Sequence, residues 1–208
     1  MIVVGIDEAG RGSLIGPMIV AGVAIKNDRL KFLKNMGVKD SKQLTRNRRE
    51  KLFDIICSYS EGFTIVKVSP EEIDSENLNE LTYKAMIKII YSLVEFKPIR
   101  ISIDKVGNTK VVEQEIIKLG MEPNIVTNAD VYFVEASAAS IIAKVIRDNI
   151  IDTLKSKYGD FGSGYPSDPK TVNWVKNVYK EYLTPPPIIR RSWKILQEIA
   201  PNYYIRKW

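Results

Sequence analysis

Ile2-Val3-Val4-Gly5-Ile6-Asp7-Glu8-Ala9-Gly10-Arg11-Gly12 is a strand-like run that ends in two acids and a glycine-flanked arginine. Its apolar, partly β-branched residues read as a buried strand. Ionised carboxylates at the edge of a core persist when they are paired or bind a cation, so Asp7 and Glu8 require either a basic partner or a metal. That requirement decides the function. Strand residues alternate faces, so for both acids to serve one site the chain is expected to leave extended geometry near Glu8. Gly10-Arg11-Gly12 permits positive φ and close approach, and could offer backbone N–H and C=O groups to a sugar or phosphate.

Outward from this stretch, a loop bounded by glycine and proline (Gly10 to Pro17) leads to a second strand, Met18 to Ile25, close enough to form an antiparallel hairpin. Lys39 to Arg49 is polar and basic, and Thr45 is placed to cap a helix whose apolar positions are Leu52, Ile55, Ile56 and Tyr59. Cations in a helix's first turn oppose its dipole, which hints at a phosphate-facing role, although they also fit an ordinary solvated surface. A strand at Phe63 to Val68 precedes the capping box of Ser69-Pro70-Glu71-Glu72, and a longer helix carries Leu78, Leu81, Ala85, Ile89, Leu93 and Phe96. Ile99 to Ile103 alternates as a strand ending in Asp104; a helix near 110–119 closes at Gly120, and a short strand near Asn124 to Thr127 follows. The helix from Val134 is rich in Ala and Ser, as close packing on a sheet or another helix would require. Asp168-Pro169 starts another helix, Pro185-Pro186-Pro187 is a stiff spacer, and Ser192 to Ala200 reads as a final helical segment.

This order describes an α/β layer, a sheet flanked by helices, with a mostly helical C-terminal lobe. The composition shift near residue 155 divides 1–155 from 156–208. Residues 155–208 hold ten Lys/Arg against four Asp/Glu, which is the whole of the net charge of +6, together with all three tryptophans. Basic residues interleaved with aromatics fit a polynucleotide; they also fit solvated helix faces over core aromatics.

The chain has no histidine, and Cys57 is its one cysteine, which removes Ser-His and Cys-His triads, histidine-ligated zinc and an internal disulfide. Carboxylates remain as the catalytic currency, and they suit hard cations such as Mg²⁺ or Mn²⁺. No GxxxxGK[ST] phosphate loop is present. The longest apolar stretch, Leu14 to Ile25, is too short to span a bilayer, and the chain reads as soluble and cytoplasmic. Asp7-Glu8, Asp104 and Asp130 each stand where a strand ends or a loop begins. Ligands of open α/β sheets gather at strand ends, so these four acids could converge, although single loop aspartates are ordinary. Four such carboxylates would suit two divalent ions roughly 3.5–4 Å apart acting on a phosphodiester.

The residues together resemble a type 2 ribonuclease H (ribonuclease HII) of archaeal kind. The matching stretches are Gly5 to Gly12 with Gly16-Pro17, Asp40-Ser41-Lys42-Gln43-Leu44, Ile103-Asp104, Ala129-Asp130, Ser137 to Val145, Gly162 to Pro169 and Arg190-Arg191-Ser192-Trp193, in the family's order. The resemblance implies a ribonuclease H-like mixed sheet flanked by helices, with 1–155 as the catalytic domain and 156–208 as a substrate-binding lobe packed on it. It implies Asp7, Glu8, Asp104 and Asp130 as catalytic metal ligands for Mg²⁺ or Mn²⁺, two ions that arrive with substrate. Gly10, Arg11 and Gly12 would read the ribose 2′-hydroxyl, a group by which proteins tell RNA from DNA. Tyr165 would pack on the neighbouring sugar at an RNA–DNA junction, Ser41 and Lys42 would hold phosphates near the cut, and Lys144 and Arg191 the duplex backbone. The chain departs from the family at Asn128, often lysine, and at Lys105-Val106-Gly107.

The implied activity is endonucleolytic hydrolysis of RNA in RNA–DNA hybrids and at ribonucleotides embedded in duplex DNA, leaving 5′-phosphate and 3′-hydroxyl ends. Two other readings compete with it: a non-catalytic nucleic-acid binder using the basic tail, and a different metal-dependent nuclease on the same fold that cuts all-DNA substrate equally. Gln197 to Tyr204 has the spacing of a sliding-clamp peptide, with Ala200 at the aliphatic position; packing of the C-terminal aromatics is the alternative. Nothing in the sequence demands more than a monomer.

Overall fold

A computed structural model describes residues 1–39 and 43–207. Its centre is a five-stranded mixed sheet of order β3-β2-β1-β4-β5. The first three strands, β1 (Ile2–Ala9), β2 (Met18–Lys26) and β3 (Ser60–Val68), form an antiparallel meander. The other two, β4 (Arg100–Asp104) and β5 (Glu122–Val126), run parallel to β1. The hairpin expected from the first two strands is therefore present. Both faces of the sheet are covered, which is why β2 is apolar without alternation. Met18, Val20 and Ala24 enter one core, and Ile19, Ala21, Val23 and Ile25 enter the other.

The first core is filled by α4 (Leu78–Leu93) and α5 (Lys110–Lys118), through Leu81, Met86, Ile89, Val112 and Ile116 among others. On the opposite face lie α1 (Leu30–Asn35), α2 (Arg46–Tyr59) and α7 (Val134–Tyr158). The Ala/Ser run of α7 is buried, and the absence of a side chain at Gly5 lets the helix backbone settle directly on β1. A Cβ at Gly5 would stand 1.9 Å from the Glu135 carbonyl oxygen.

Local signals operate where expected. Thr45 caps α2 by accepting from the Arg48 N–H, and Ser69 and Glu72 form the reciprocal capping box of α3 (Pro70–Ser75). Asn77 is a second cap, accepting from the N–H groups of Asn79 and Glu80, so α3 and α4 are separate helices. The short helix α6 (Ala129–Tyr132) follows Asn128, whose φ is +58°. Asparagine tolerates that left-handed geometry better than lysine, a physical reason for one of the departures noted above.

Residues 159–207 contribute α8 (Pro169–Glu181), capped by Asp168, and α9 (Leu196–Ile199). The expected final helix from Ser192 shrinks to this single turn of α9. The Asp74 carboxylate accepts from the N–H groups of Arg191 and Ser192 and from the Ser192 hydroxyl, which holds that segment as a turn. A third core joins Phe161, Val175, Ile189, Leu196 and Tyr203 to Leu14, Ile15 and Ile151. Residue 155 lies within α7, so this C-terminal core grows from the loop after β1 and the end of that helix. Among the described residues no helix is long and apolar enough to cross a membrane.

Candidate active site

The site is set by where β4 stops. Its ladder with β1 ends at Ile6 and Ile103, whereas β1 continues with β2 as far as Ala9 opposite Ile19. Beyond Ile6 the β4-facing edge of β1 therefore opens into a cleft of about 490 Å³. Asp7, Glu8 and Asp104 line it. The expectation that the chain leaves extended geometry near Glu8 is corrected, because Glu8 pairs with Val20 in regular register. Alternation is preserved: Asp7 faces α7, where Ser140 hydrogen-bonds it, and Glu8 lies on the face of Arg11, which is bonded to Thr82 and Asn79 of α4. The open edge, rather than a bend, gives both acids access to one space.

The acids raise one another's affinity for protons. Asp7 is 6% exposed. Burial, then the nearby charges of Asp104 and Asp130, push it up to about 6 against the opposing hydrogen bonds from Ser140 and the Glu8 N–H. Burial and the Asp7 charge push Glu8 up to about 8 against the attraction of Arg11. Its Oε2 is buried without a hydrogen-bond partner among the described residues. Asp104 Oδ1 accepts from the Ala129 N–H at 3.2 Å, which ties the end of β4 to the turn carrying Asp130. Asp130 is 2% exposed, does not line the cleft and lies within electrostatic reach of Asp7. Among the described residues no three acidic side chains gather closely enough to hold one ion as they stand. The donor chemistry nevertheless fits a hard cation: all-oxygen ligands, an orphaned buried carboxylate oxygen, and acids whose charge is costly until a cation neutralises it.

The α7 wall of the cleft is basic. Ser140, Lys144, Arg147 and Asp148 fall on one stripe of α7 at helical spacing, and all four line the cleft with Arg49 of α2. Lys144 donates to the Ser140 hydroxyl at 3.2 Å, while Arg49 pairs with Asp148 at 3.0 Å. Of these residues the sequence reading singled out Lys144 alone. The polar i, i+4, i+7, i+8 spacing within an otherwise buried helix was the signal available for the others.

Gly10, Arg11, Gly12 and Tyr165 complete the lining. They meet because the loop after β1 is laced to two C-terminal segments. The N–H groups of Leu14 and Ile15 both donate to the Gly164 carbonyl, and Ile15 bridges Ile189. The Arg147 guanidinium lies over the Tyr165 ring, 5.1 Å from its centre. Burial lowers the pKa of Arg147; it also pushes Arg190 down to about 9, with Arg147 adding to the effect.

Arg191 is not brought to this cleft. Its side chain donates to the Tyr203 carbonyl and lines a separate groove beside Asp74 and Pro185-Pro186-Pro187, because the Asp74 turn directs its neighbour Arg190 inward instead. Ser41 and Lys42 lie outside the described residues. In the clamp-like stretch Ala200 and Tyr203 are fully buried, and the Tyr203 hydroxyl donates to the Tyr182 carbonyl.

A mixed sheet of this strand order, with acids at the ends of its central strands, defines the ribonuclease H-like class of nucleases. Within that class, the family model of ribonuclease HII matches residues 4–196, and the chain belongs to this family. It is similar to the ribonuclease HII of Sulfolobus acidocaldarius, with 65% identity over 208 residues that cover 100% of this chain and 98% of that protein. The crystal structure of ribonuclease H2 from Pyrococcus horikoshii OT3 matches with TM-score 0.86 and 40% identity, covering 98% of this chain and 99% of that one. Ribonuclease HII of Archaeoglobus fulgidus, solved as a complex with PCNA, matches with TM-score 0.83 and 36% identity, covering 95% and 96%. The chain is thus a metal-dependent endonuclease with ribonuclease H activity on RNA–DNA hybrids.

Proposed function

We propose that the protein hydrolyses the RNA strand of hybrids and cuts at ribonucleotides embedded in duplex DNA, with two divalent ions, leaving 5′-phosphate and 3′-hydroxyl ends. One observation carries this reading: a single cleft is lined by acids at the open edge of β1, by the Gly10-Arg11-Gly12 loop and by Tyr165. Asp7, Glu8, Asp104 and Asp130 would hold the ions. When bound, these supply a nucleophilic water and neutralise charge on the phosphodiester and its leaving 3′-oxygen.

The chain's own residues then have separable tasks. Ser140 orients Asp7 and is itself held by Lys144, which fixes the carboxylate against the cleft wall. Lys144, with Ser41 and Lys42 of the basic sequence stretch, holds phosphates and resists their repulsion from the acids. Gly10 to Gly12 present backbone groups to the 2′-hydroxyl, and Tyr165 carries the adjoining sugar. Overall one water would be consumed: its oxygen bonds to phosphorus as the bond to the 3′-oxygen breaks, one of its protons ends on the leaving 3′-oxygen and the other on the new 5′-phosphate or in solvent.

Product mapping on a DNA duplex with one ribonucleotide tests the proposal. Cleavage on the 5′ side of the ribonucleotide or within a hybrid, lost in chelator and reduced at least about 10³-fold by Asp7→Asn, is the expected result. Cleavage of all-DNA duplex at the same rate, or full activity of Asp7→Asn, would sink it.

A sliding-clamp contact is a second reading, favoured by the A. fulgidus complex with PCNA. With Ala200 and Tyr203 in the core, it would use the exposed side of the same stretch, Gln197, Glu198 and Asn202. Co-elution with an archaeal clamp, lost in Gln197→Ala, is the expected result; co-elution unchanged by that substitution would reject this surface.

A further inference from the structure

Arg190 is a fully buried arginine, 0% exposed, with no carboxylate among its hydrogen-bond partners in the described residues. Burying a guanidinium in this way is costly, and every bond it makes is to a backbone carbonyl of one loop. Its Nη2 donates to the Gly10 carbonyl at 2.6 Å, its Nη1 to the Arg11 carbonyl at 2.8 Å, and its Nε to the Gly16 carbonyl at 2.9 Å. The Trp193 indole, stacked 5.0 Å from the same guanidinium, donates to the next carbonyl, that of Gly12, at 3.2 Å. Two side chains of the Arg190 to Trp193 turn thus grip three consecutive carbonyls of the loop.

A trans peptide holds its N–H opposite its C=O. With the carbonyls of Gly10 and Arg11 turned toward Arg190, the N–H groups of Arg11 and Gly12 turn away from it, on residues that line the cleft. Two successive N–H donors on one side of a glycine-flanked turn form a concavity for an electronegative atom. The glycines themselves do not select this orientation, because they permit many.

We propose that Arg190, supported by Trp193, is a positioning residue for sugar discrimination: it orients the peptide planes of Gly10-Arg11-Gly12 so that their donors meet the 2′-oxygen of a ribonucleotide. The inference rests on the reading of that loop as the ribose sensor. It gives Arg190 no contact with substrate and no part in the bond-breaking step.

The test is the ratio of affinities for a labelled DNA duplex with one ribonucleotide and for its all-DNA twin, read by fluorescence anisotropy in EDTA so that neither is cut. Arg190→Lys keeps a buried cation but cannot reach three carbonyls, and should lower the ratio roughly tenfold, as loss of one charge-assisted hydrogen bond to a carbonyl would. Trp193→Phe keeps the ring and removes one donor, and should lower it about threefold while preserving the thermal transition. Affinity for the all-DNA twin should stay at the wild-type value in both, because phosphate contacts lie elsewhere. A merely structural role would weaken both duplexes together and leave the ratio unchanged; that outcome overturns the inference. If Arg190→Lys does not fold, Trp193→Phe decides alone. A wild-type protein with no preference for the ribonucleotide would instead overturn the reading of the loop, and the inference with it.

Discussion

Asp7 and Glu8 stand at the end of a fully paired strand, and their raised proton affinities make a definite statement about the metal-free protein. An acid whose folded pKa lies above its unfolded value contributes stability below the unfolded pKa, and that contribution is lost as pH rises through the folded one. With Asp7 raised from 3.8 to about 6 and Glu8 from 4.5 to about 8, metal-free stability should fall from about pH 4 to about pH 8. Denaturant midpoints across that window, in chelator, should show the decline, and Asp7→Asn with Glu8→Gln should flatten it. Mg²⁺ or Mn²⁺ should restore most of the loss at the alkaline end, since a bound cation neutralises the buried, ionised acids. Gly5 makes a second residue-scale prediction. An alanine there collides with the Glu135 backbone rather than with a yielding side chain, so Gly5→Ala should cost at least about 2–3 kcal/mol, read as a lowered urea midpoint.

At the scale of elements, α7 joins packing to chemistry. Its small residues press on β1, and the same rigid helix carries Ser140, Lys144, Arg147 and Asp148 along the cleft. Caps and breaks of neighbouring elements were written locally: Thr45, Ser69 with Pro70, Asp168 and Gly120 act where their residue types predict. The break at Asn77 and the melting of the Ser192 helix were not legible in the same way. The first depends on one more cap inside a helical pattern, and the second on Asp74, 117 residues away from its partner Arg191. Asp74→Ala should therefore cost about 2 kcal/mol, because it removes the acceptor of three half-buried hydrogen bonds. It should also loosen the Arg190 turn, so its effect on sugar discrimination should exceed its effect on all-DNA affinity in the same anisotropy assay.

On the scale of the whole molecule, acids and cations line one cleft together, Asp7, Glu8 and Asp104 beside Lys144, Arg147 and Arg49. A phosphate backbone lying along the basic wall releases counterions, and log affinity should fall linearly with log salt concentration. Lys144→Ala should weaken hybrid and all-DNA duplex alike and reduce that slope by about 1, measured by anisotropy between 50 and 200 mM salt. The C-terminal residues act here through their interior. The third core encloses Leu14 and Ile15 and thereby fixes the loop that starts at the end of β1.

The sequence by itself determined the strand–hairpin opening, the helix caps, the absence of histidine and cysteine chemistry, and the candidate acids, because these are properties of residue type and short-range periodicity. Its motif order also sufficed for the family. Tertiary structure alone decided that Asp7 and Glu8 share a cleft without a bend, since that depends on β4 ending earlier than β1. It likewise decided that Asp130 is buried outside the cleft lining, that Arg191 faces a different groove, and that Arg190 grips the glycine loop across 180 residues of chain. Such features arise from strand register and from buried polar groups finding partners in distant segments, and neither is encoded within any one stretch of residues.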